Sequence, residues 1–454
     1  MRQRSSPVSS RQTLESTACI NCHASGLHSV QGAQVVIKML KARHAVQKLI
    51  LSHNELGDDG CIALFTFLGS ALGKRHLLSE ISLGSNKIGN AGLLVISEYL
   101  QSNQHLQELS LQNNEFTGDV STATAFVSAL NTSCVGTLQL SSNTGLSDSF
   151  AEIFFPSLDS PYLRYLSISA ANFSSVSLPH IIEYLCSPRC RLDSLTCSAN
   201  SFGTAGVRSI SEAIRKHNFR LTKVDMYSNE TGEDIDSPQN RERWRETYTS
   251  LARLLDRNKY LKRETETQAL RLLRYARPVL LVHSAIDMEH KTNITPTACS
   301  DSCPCIPSPG PFISSISQPV TPTAHIYPLI ILPVEIKQYI LSFFAPILSP
   351  AQRIRIYHYA SSPATLPQLL PCLSSHKTSP SESVVCVPDP SSLGFGAGGK
   401  VWSSGGGGVR MGQGCAAGRC MGSGNSVLCH REQEMLRWLE VVGCDSYDPD
   451  ESAV

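Results

Sequence analysis

One recurring pattern constrains this chain more than any other feature. Val46-Gln-Lys-Leu-Ile-Leu-Ser-His-Asn54 reads L-x-x-L-x-L-x-x-N. It returns at Leu78–Asn86, Leu106–Asn114, Val135–Asn143, Leu163–Asn172, Leu192–Asn200 and Leu221–Asn229, with asparagines 32, 28, 29, 29, 28 and 29 residues apart. The positions five and three before the asparagine are Leu49/Leu51, Ile81/Leu83, Leu109/Leu111, Leu138/Leu140, Leu195/Cys197 and Val224/Met226. The fifth repeat reads with one extra residue, so Leu166/Ile168 lie six and four before Asn172. All 14 positions are apolar in a chain that is 41% hydrophobic. Apolar residues at i and i+2 mark one face of a short strand.

The second half of each unit has the other period. Gly60, Gly92 and Gly206 follow their asparagines by six residues. Leu64, Ile96 and Ile210 follow by ten, and Leu68, Leu100 and Ile214 by fourteen. A spacing of four is one face of a helix, and the glycine permits close backbone approach where that helix begins. Each unit is therefore strand, turn, helix. The expected fold is an α/β solenoid with parallel strands on the concave face and helices on the convex face. Asn54, Asn86, Asn114, Asn143, Asn172, Asn200 and Asn229 are expected in the turns, bonded to backbone groups that lack a sheet partner. A single unit cannot bury its apolar face; a stack can.

Ile20, Cys22, Ser25 and Leu27 fit a degenerate first unit, with Val35–Leu40 as its helix. After Asn229, Arg241–Leu281 reads as a helical cap. Trp244, Tyr248, Leu251, Leu254 and Leu255 form one stripe, continued by Leu270, Leu272, Leu273 and Ala276 and ended near Pro278. The resulting map is a disordered 1–16, a solenoid with its cap at 17–285 and a Pro/Ser/Thr linker at 286–326. A small helical segment follows at 327–375, then a disordered Ser/Pro/Gly-rich 376–428 and a short helix and tail at 429–454.

These repeats resemble the ribonuclease-inhibitor-like class of leucine-rich repeats, over roughly residues 17–285. The whole chain looks most like a fungal member of that class. The class includes ribonuclease inhibitors and Ran GTPase-activating proteins. The resemblance implies a scaffold that holds a partner on its concave face, with a GTPase activator as the alternative. Such activators resemble one another in a long acidic tail, which is missing here, so no catalytic residue is carried over. Leu332-Pro-x-Glu335-Ile336-x-x-x-Ile340-Leu341 resembles the start of an F-box, which implies a ubiquitin-ligase substrate receptor as a second alternative. The match spans about a dozen residues and lacks the usual Trp-containing second half.

Bulk properties bound the partner. Lys plus Arg is 39 and Asp plus Glu is 38, so the whole chain gives no reason to expect nucleic acid or an anionic membrane. No apolar run reaches the roughly 18 residues of a transmembrane helix. The start Met1-Arg-Gln-Arg lacks an apolar signal core. A monomer in the cytoplasm, with the nucleus as second location, is expected. Four sequons carry meaning only for an exported chain.

Motifs of chemistry are weak. Cys19-Ile-Asn-Cys22-His23 has the haem-attachment spacing but falls on the first strand. Gly394-Phe-Gly-Ala-Gly-Gly-Lys-Val401 follows no strand and lies in low complexity. Cys299, Cys303 and Cys305 lack a fourth ligand at zinc spacing. No catalytic residue, metal or cofactor is therefore assigned. Alternation along the strands points a polar, nearly uncharged row to the concave side. Its anchors are expected at the C-terminal end: Arg164, Tyr165, Lys223, Asp225 and Tyr227. Residues 241–277 carry nine Arg and two Lys against five acidic residues, a net of +6. An acidic protein partner, a small GTPase among the candidates, is expected there.

Overall fold

The computed structural model describes residues 18–229, 238–291, 332–362 and 431–449. The chain divides into two compact units, 1–260 and 261–454.

In the first unit, eight three-residue strands form one parallel sheet in sequence order. They are Cys19–Asn21 (β1), Lys48–Ile50 (β2), Glu80–Ser82 (β3), Glu108–Ser110 (β4), Thr137–Gln139 (β5), Tyr165–Ser167 (β6), Ser194–Thr196 (β7) and Lys223–Asp225 (β8). Between them run helices Ser29–Lys41 (α1), Gly57–Gly69 (α2), Asn90–Ser102 (α3), Val120–Thr132 (α4), Ser147–Ser157 (α5), Leu178–Cys186 (α6) and Gly203–Lys216 (α7). The first half of helix Pro238–Lys291 (α8) closes the unit. Ile20, Leu49, Ile81, Leu109, Leu138, Leu166, Leu195 and Val224 lie in one register across the sheet. All eight are buried and belong to the core shared with the helices.

A buried asparagine ladder links the turns. Asn114 is representative: Nδ2 donates to Leu83 O (3.1 Å) and Leu111 O (2.9 Å). Its Oδ1 accepts from the Asn86 and Ile88 N–H groups of the preceding turn (3.0 and 3.2 Å). One side chain thus satisfies backbone groups of two repeats. The residue before each ladder position is left-handed: His53, Ser85, Asn113, Ser142, Ala170, Ala199 and Ser228 have φ between 51° and 62°. That turn aims the next side chain inward.

The fifth repeat departs from its expected reading. Ala170 is the left-handed residue, and buried Ala171 occupies the ladder position. The Ala171 N–H donates to Asn200 Oδ1 at 3.1 Å, while Asn172 is exposed. There is no extra residue: Leu166 and Ile168 sit five and three before Ala171, as in every other repeat. Ala171 has no side-chain amide, so the ladder is interrupted between Asn143 and Asn200.

Glycine marks close approach between helix and preceding turn. A Cβ on Gly92 would lie 2.3 Å from Ile88 Cγ2, so Gly92 can carry no side chain without a shift.

The cap helix is longer than the sequence implies. Pro278 does not end it, and the backbone is helical to Lys291, through residues assigned to a linker. A proline inside a helix removes one hydrogen bond. Here Ala276, Arg277 and Leu280 are buried on either side of an exposed Pro278, and that packing outweighs the lost bond.

The second unit takes the latter half of α8 together with Val334–Ser342 (α9), Pro350–Ser361 (α10) and Arg431–Val441 (α11). Leu270, Leu273, Leu341, Ile356, Trp438 and Leu439 share one core. Gln352 completes a capping box with Ser349 at the start of α10, and its Nε2 donates to Gly443 O (2.8 Å) and Ser446 O (3.0 Å). Gln268 Oε1 accepts the Ile347 N–H at 2.9 Å. The residues placed in a solenoid cap, an F-box-like segment and a C-terminal helix are therefore partly one helical unit. The residues of α8 from Leu261 onward group with this second unit. The assignments for 1–16, 292–326, 363–428 and 450–454 lie outside the described residues. Among the described residues no helix is long and apolar enough to cross a membrane.

Candidate interaction surface

Strand alternation sends the residues flanking each central leucine to the concave side. One outward row runs Cys19, Lys48, Glu80, Glu108, Thr137, Tyr165, Ser194, Lys223. The next runs Asn21, Ile50, Ser82, Ser110, Gln139, Ser167, Thr196, Asp225. Hydroxyl side chains of this row, with Ser52 and Ser141 two residues beyond it, bond to one another across strands. Ser52 and Ser82 Oγ are 2.6 Å apart, Thr196 Oγ1 donates to Ser167 Oγ at 2.6 Å, and Ser141 and Ser167 also pair. These hydroxyls form a low, internally bonded floor.

Charge on this floor is mostly paired. Lys48 Nζ reaches Glu80 at 2.6 Å, and Lys223 Nζ reaches Asp225 at 3.4 Å. Such pairs contribute little stability, and the outward rows of β1 to β5 contain no Phe, Tyr or Trp.

The C-terminal end differs. Tyr227 follows β8 and is 61% exposed. Its ring stacks on Tyr248 of α8 at 5.3 Å and 18°, and Tyr248 stacks on buried Trp244 at 5.5 Å and 20°. Tyr248 Oη also donates to Met226 O at 2.6 Å, fixing cap to strand. An exposed tyrosine is thus continuous with a stack rooted in the core. Rigid aromatic area of this kind loses little conformational entropy on binding.

Of the five residues expected to anchor a partner, Tyr165, Lys223 and Asp225 occupy the outward rows of β6 and β8, and Tyr227 lies just beyond β8. Arg164 does not join them. It is half-buried just before β6, and its Nη1 donates to Pro161 O at 2.8 Å, drawing the guanidinium toward the preceding loop. Tyr248 is the residue that sequence reasoning missed as part of the site. Its helical stripe marked it for the core, and nothing in the sequence states the rotation of α8 against β8.

The cap is held by two neighbours. Asn258 Nδ2 donates to Asn218 O (3.0 Å) and Leu221 O (2.8 Å). Arg257 donates to Ile214 O and Arg215 O at the end of α7 and lies over the Phe219 ring at 4.6 Å. A guanidinium at a helix C-terminus satisfies its open carbonyls.

Among the described residues the cysteines are not arranged for chemistry. Burial pushes the Cys61 and Cys190 thiols up, and that of Cys197 to about 12, so they stay protonated and inert in the core. Cys22 is buried with Ile20 under the first strand. Among the described residues no three His, Cys, Asp or Glu are placed to hold a metal.

The comparisons agree with this geometry. The family described as Leucine Rich repeat matches residues 45–65 and 102–119, which contain β2 with the start of α2, and β4 with its turn. The sheet, the repeated strand–turn–helix unit and these matches define a leucine-rich-repeat solenoid. No curated protein matches the chain.

Proposed function

We propose that this chain is a non-enzymatic protein-interaction scaffold that holds its partner at the C-terminal end of the concave face. The Tyr227–Tyr248–Trp244 stack carries the proposal: it is the point where exposed aromatic area is held rigidly above a hydroxyl floor. Binding energy at interfaces concentrates in such anchors. Residues 241–260 add six Lys or Arg against three Asp or Glu, which supports an acidic partner. The test is affinity capture from the native cell by the full chain beside Tyr227→Ala and Gln47→Ala variants. Partners lost with Tyr227→Ala and retained with Gln47→Ala support the reading. GTP hydrolysis by Ran with and without the chain tests a GTPase as that partner.

One observation favours a second reading. Ile336, Tyr339 and Phe343 are 45%, 65% and 66% exposed along α9, the F-box-like helix. This apolar stripe suits docking onto a ubiquitin-ligase adaptor. Pull-down with purified adaptor, lost in Tyr339→Ala/Phe343→Ala, tests it.

A further inference from the structure

The two ends of the solenoid are unlike. The last repeat is covered by α8, whereas the outer side of the first repeat presents apolar side chains: Val30 is 40% exposed, Val35 47% and Met39 37%. These positions have counterparts further along. The buried residues Gly32, Val36 and Leu40 of α1 recur 28 residues on as Gly60, Leu64 and Leu68 of α2. On that register Val35 and Met39 correspond to Ala63 and Phe67, which are half-buried and packed against the core.

Ring contacts show what these positions face. Phe67 lies under Lys41 of the preceding helix, with Nζ 5.5 Å from the ring centroid. Its own counterpart in α3, Tyr99, meets Phe65 of the preceding α2 at 5.3 Å and is 6% exposed. In α2 and α3 this position receives the helix before it. In α1 the same position is an exposed methionine, so α1 keeps the receiving face of an internal repeat.

The mode of contact follows from the strand. β1 is an edge of the sheet, and strand addition is one way to cover an edge. Arg43 Nη1 already donates to Cys19 O at 2.6 Å, which obstructs the outer side of this three-residue strand. The helix face is the open part. Its charge has one sign: residues 18–47 contain Lys38, Lys41 and Arg43, three histidines and no Asp or Glu. A second copy would bring like charge against like charge. So would the chain's own Met1–Thr17, with Arg2, Arg4 and Arg11 against Glu15.

We propose that the N-terminal face of α1 is a second docking surface, for an acidic amphipathic helix of another protein. That helix stacks its apolar ridge on Val35 and Met39 as α1 stacks on α2, and its carboxylates face Lys38. This surface is separate from the concave site and does not depend on it.

The test is panning of displayed helical peptides of about 15 residues, long enough to hold a helix, against the full chain. Depletion on a Val35→Glu/Met39→Glu variant removes binders of other surfaces. Both positions are exposed, and circular dichroism checks that the variant folds. The expected winners carry apolar residues at i, i+4 and i+7 with net negative charge. They bind wild type at least about tenfold more tightly than the double variant, lose affinity in Lys38→Glu, and weaken as salt rises. Neutral or basic winners, or no enrichment specific to wild type, would overturn the proposal. So would sedimentation showing a wild-type dimer that the double variant dissolves, because the occupant would then be a second copy.

Discussion

Tyr227 and Tyr248 stack nearly parallel at 5.3 Å, joining a residue of the concave edge to a residue of the cap. The contact makes binding and capping parts of one structure. Tyr248→Ala should therefore weaken partner binding although its own ring is half-buried. The expected loss is about 1–3 kcal/mol, comparable to that of Tyr227→Ala. Titration of the partner into each variant measures it. Loss confined to Tyr227→Ala would mean that the stack does not position the exposed ring.

The ladder register can be checked by a pair of asparagines. Asn114→Ala leaves buried backbone groups of two turns without partners and should cost about 1–3 kcal/mol in urea denaturation. Asn172→Gly alters an exposed residue whose φ of 60° glycine accepts, and should stay within about 0.5 kcal/mol of wild type. Equal costs would show that Asn172, and not Ala171, holds the inward position.

Much of this fold was legible in the sequence because two periods coincide within each unit. Leu49 and Leu51 show the strand, Leu64 and Leu68 the helix, and Asn54 the turn between them. The fifth repeat was misread because alanine carries no signal: Ala171 fills the ladder position, and neighbouring Asn172 has the expected chemistry one residue too late. A further apolar series two residues after the ladder position (Leu56, Ile88, Phe116, Phe173 and Phe202) is buried yet went unread. Repeat four breaks the series, with Gly145 there and Leu146 buried instead. The joint role of α8 was illegible for another reason. An amphipathic stripe states that a helix is covered, not by what, and Trp244 and Leu273 of one helix are covered by different cores.

That division predicts how truncations behave. A chain ending at 260 retains Trp244, Leu251 and Leu255 on the solenoid and should be monomeric and cooperative. A chain ending at 285 also carries Leu270, Leu272, Leu273 and Leu280 without their partners from α9, α10 and α11, and should self-associate. Light scattering distinguishes them. A monomeric 1–285 chain would show that the second half of the helix needs no second core.

The cap staple is testable by hydrogen exchange. Asn258→Ala removes two bonds to the Asn218 and Leu221 carbonyls, and should destabilise by about 1–3 kcal/mol. Amides of 241–260 should lose more protection than those of β3 and β4. Uniform loss would mean that cap and solenoid open as one cooperative unit.

Acid should loosen the middle of the solenoid through Asp148. Its carboxylate accepts from the Ser174 N–H (2.8 Å), Ser174 Oγ (2.6 Å) and Ser177 Oγ, tying α5 to the next turn. Burial alone raises its pKa, but the hydrogen bonds outweigh burial and hold it below the ordinary carboxylate value. A lowered folded-state pKa means that the group stabilises at pH above its unfolded value, about 3.9, and that this stabilisation is lost as pH falls through the folded value. Asp148→Asn should therefore be less stable than wild type at neutral pH, with the gap narrowing as pH falls below the ordinary carboxylate value. Denaturation at several pH values measures the gap; one that stays constant would rule out this linkage.

The most direct measurement is site-specific photo-crosslinking in the native cell. A photoreactive residue replaces Tyr227 in one variant and Gln47 in another, and captured proteins are quantified by mass spectrometry. The account predicts one or a few acidic proteins captured strongly from position 227 and weakly from position 47. Equal capture from both positions, or stronger capture from 47, would contradict a partner held at the C-terminal end of the concave face.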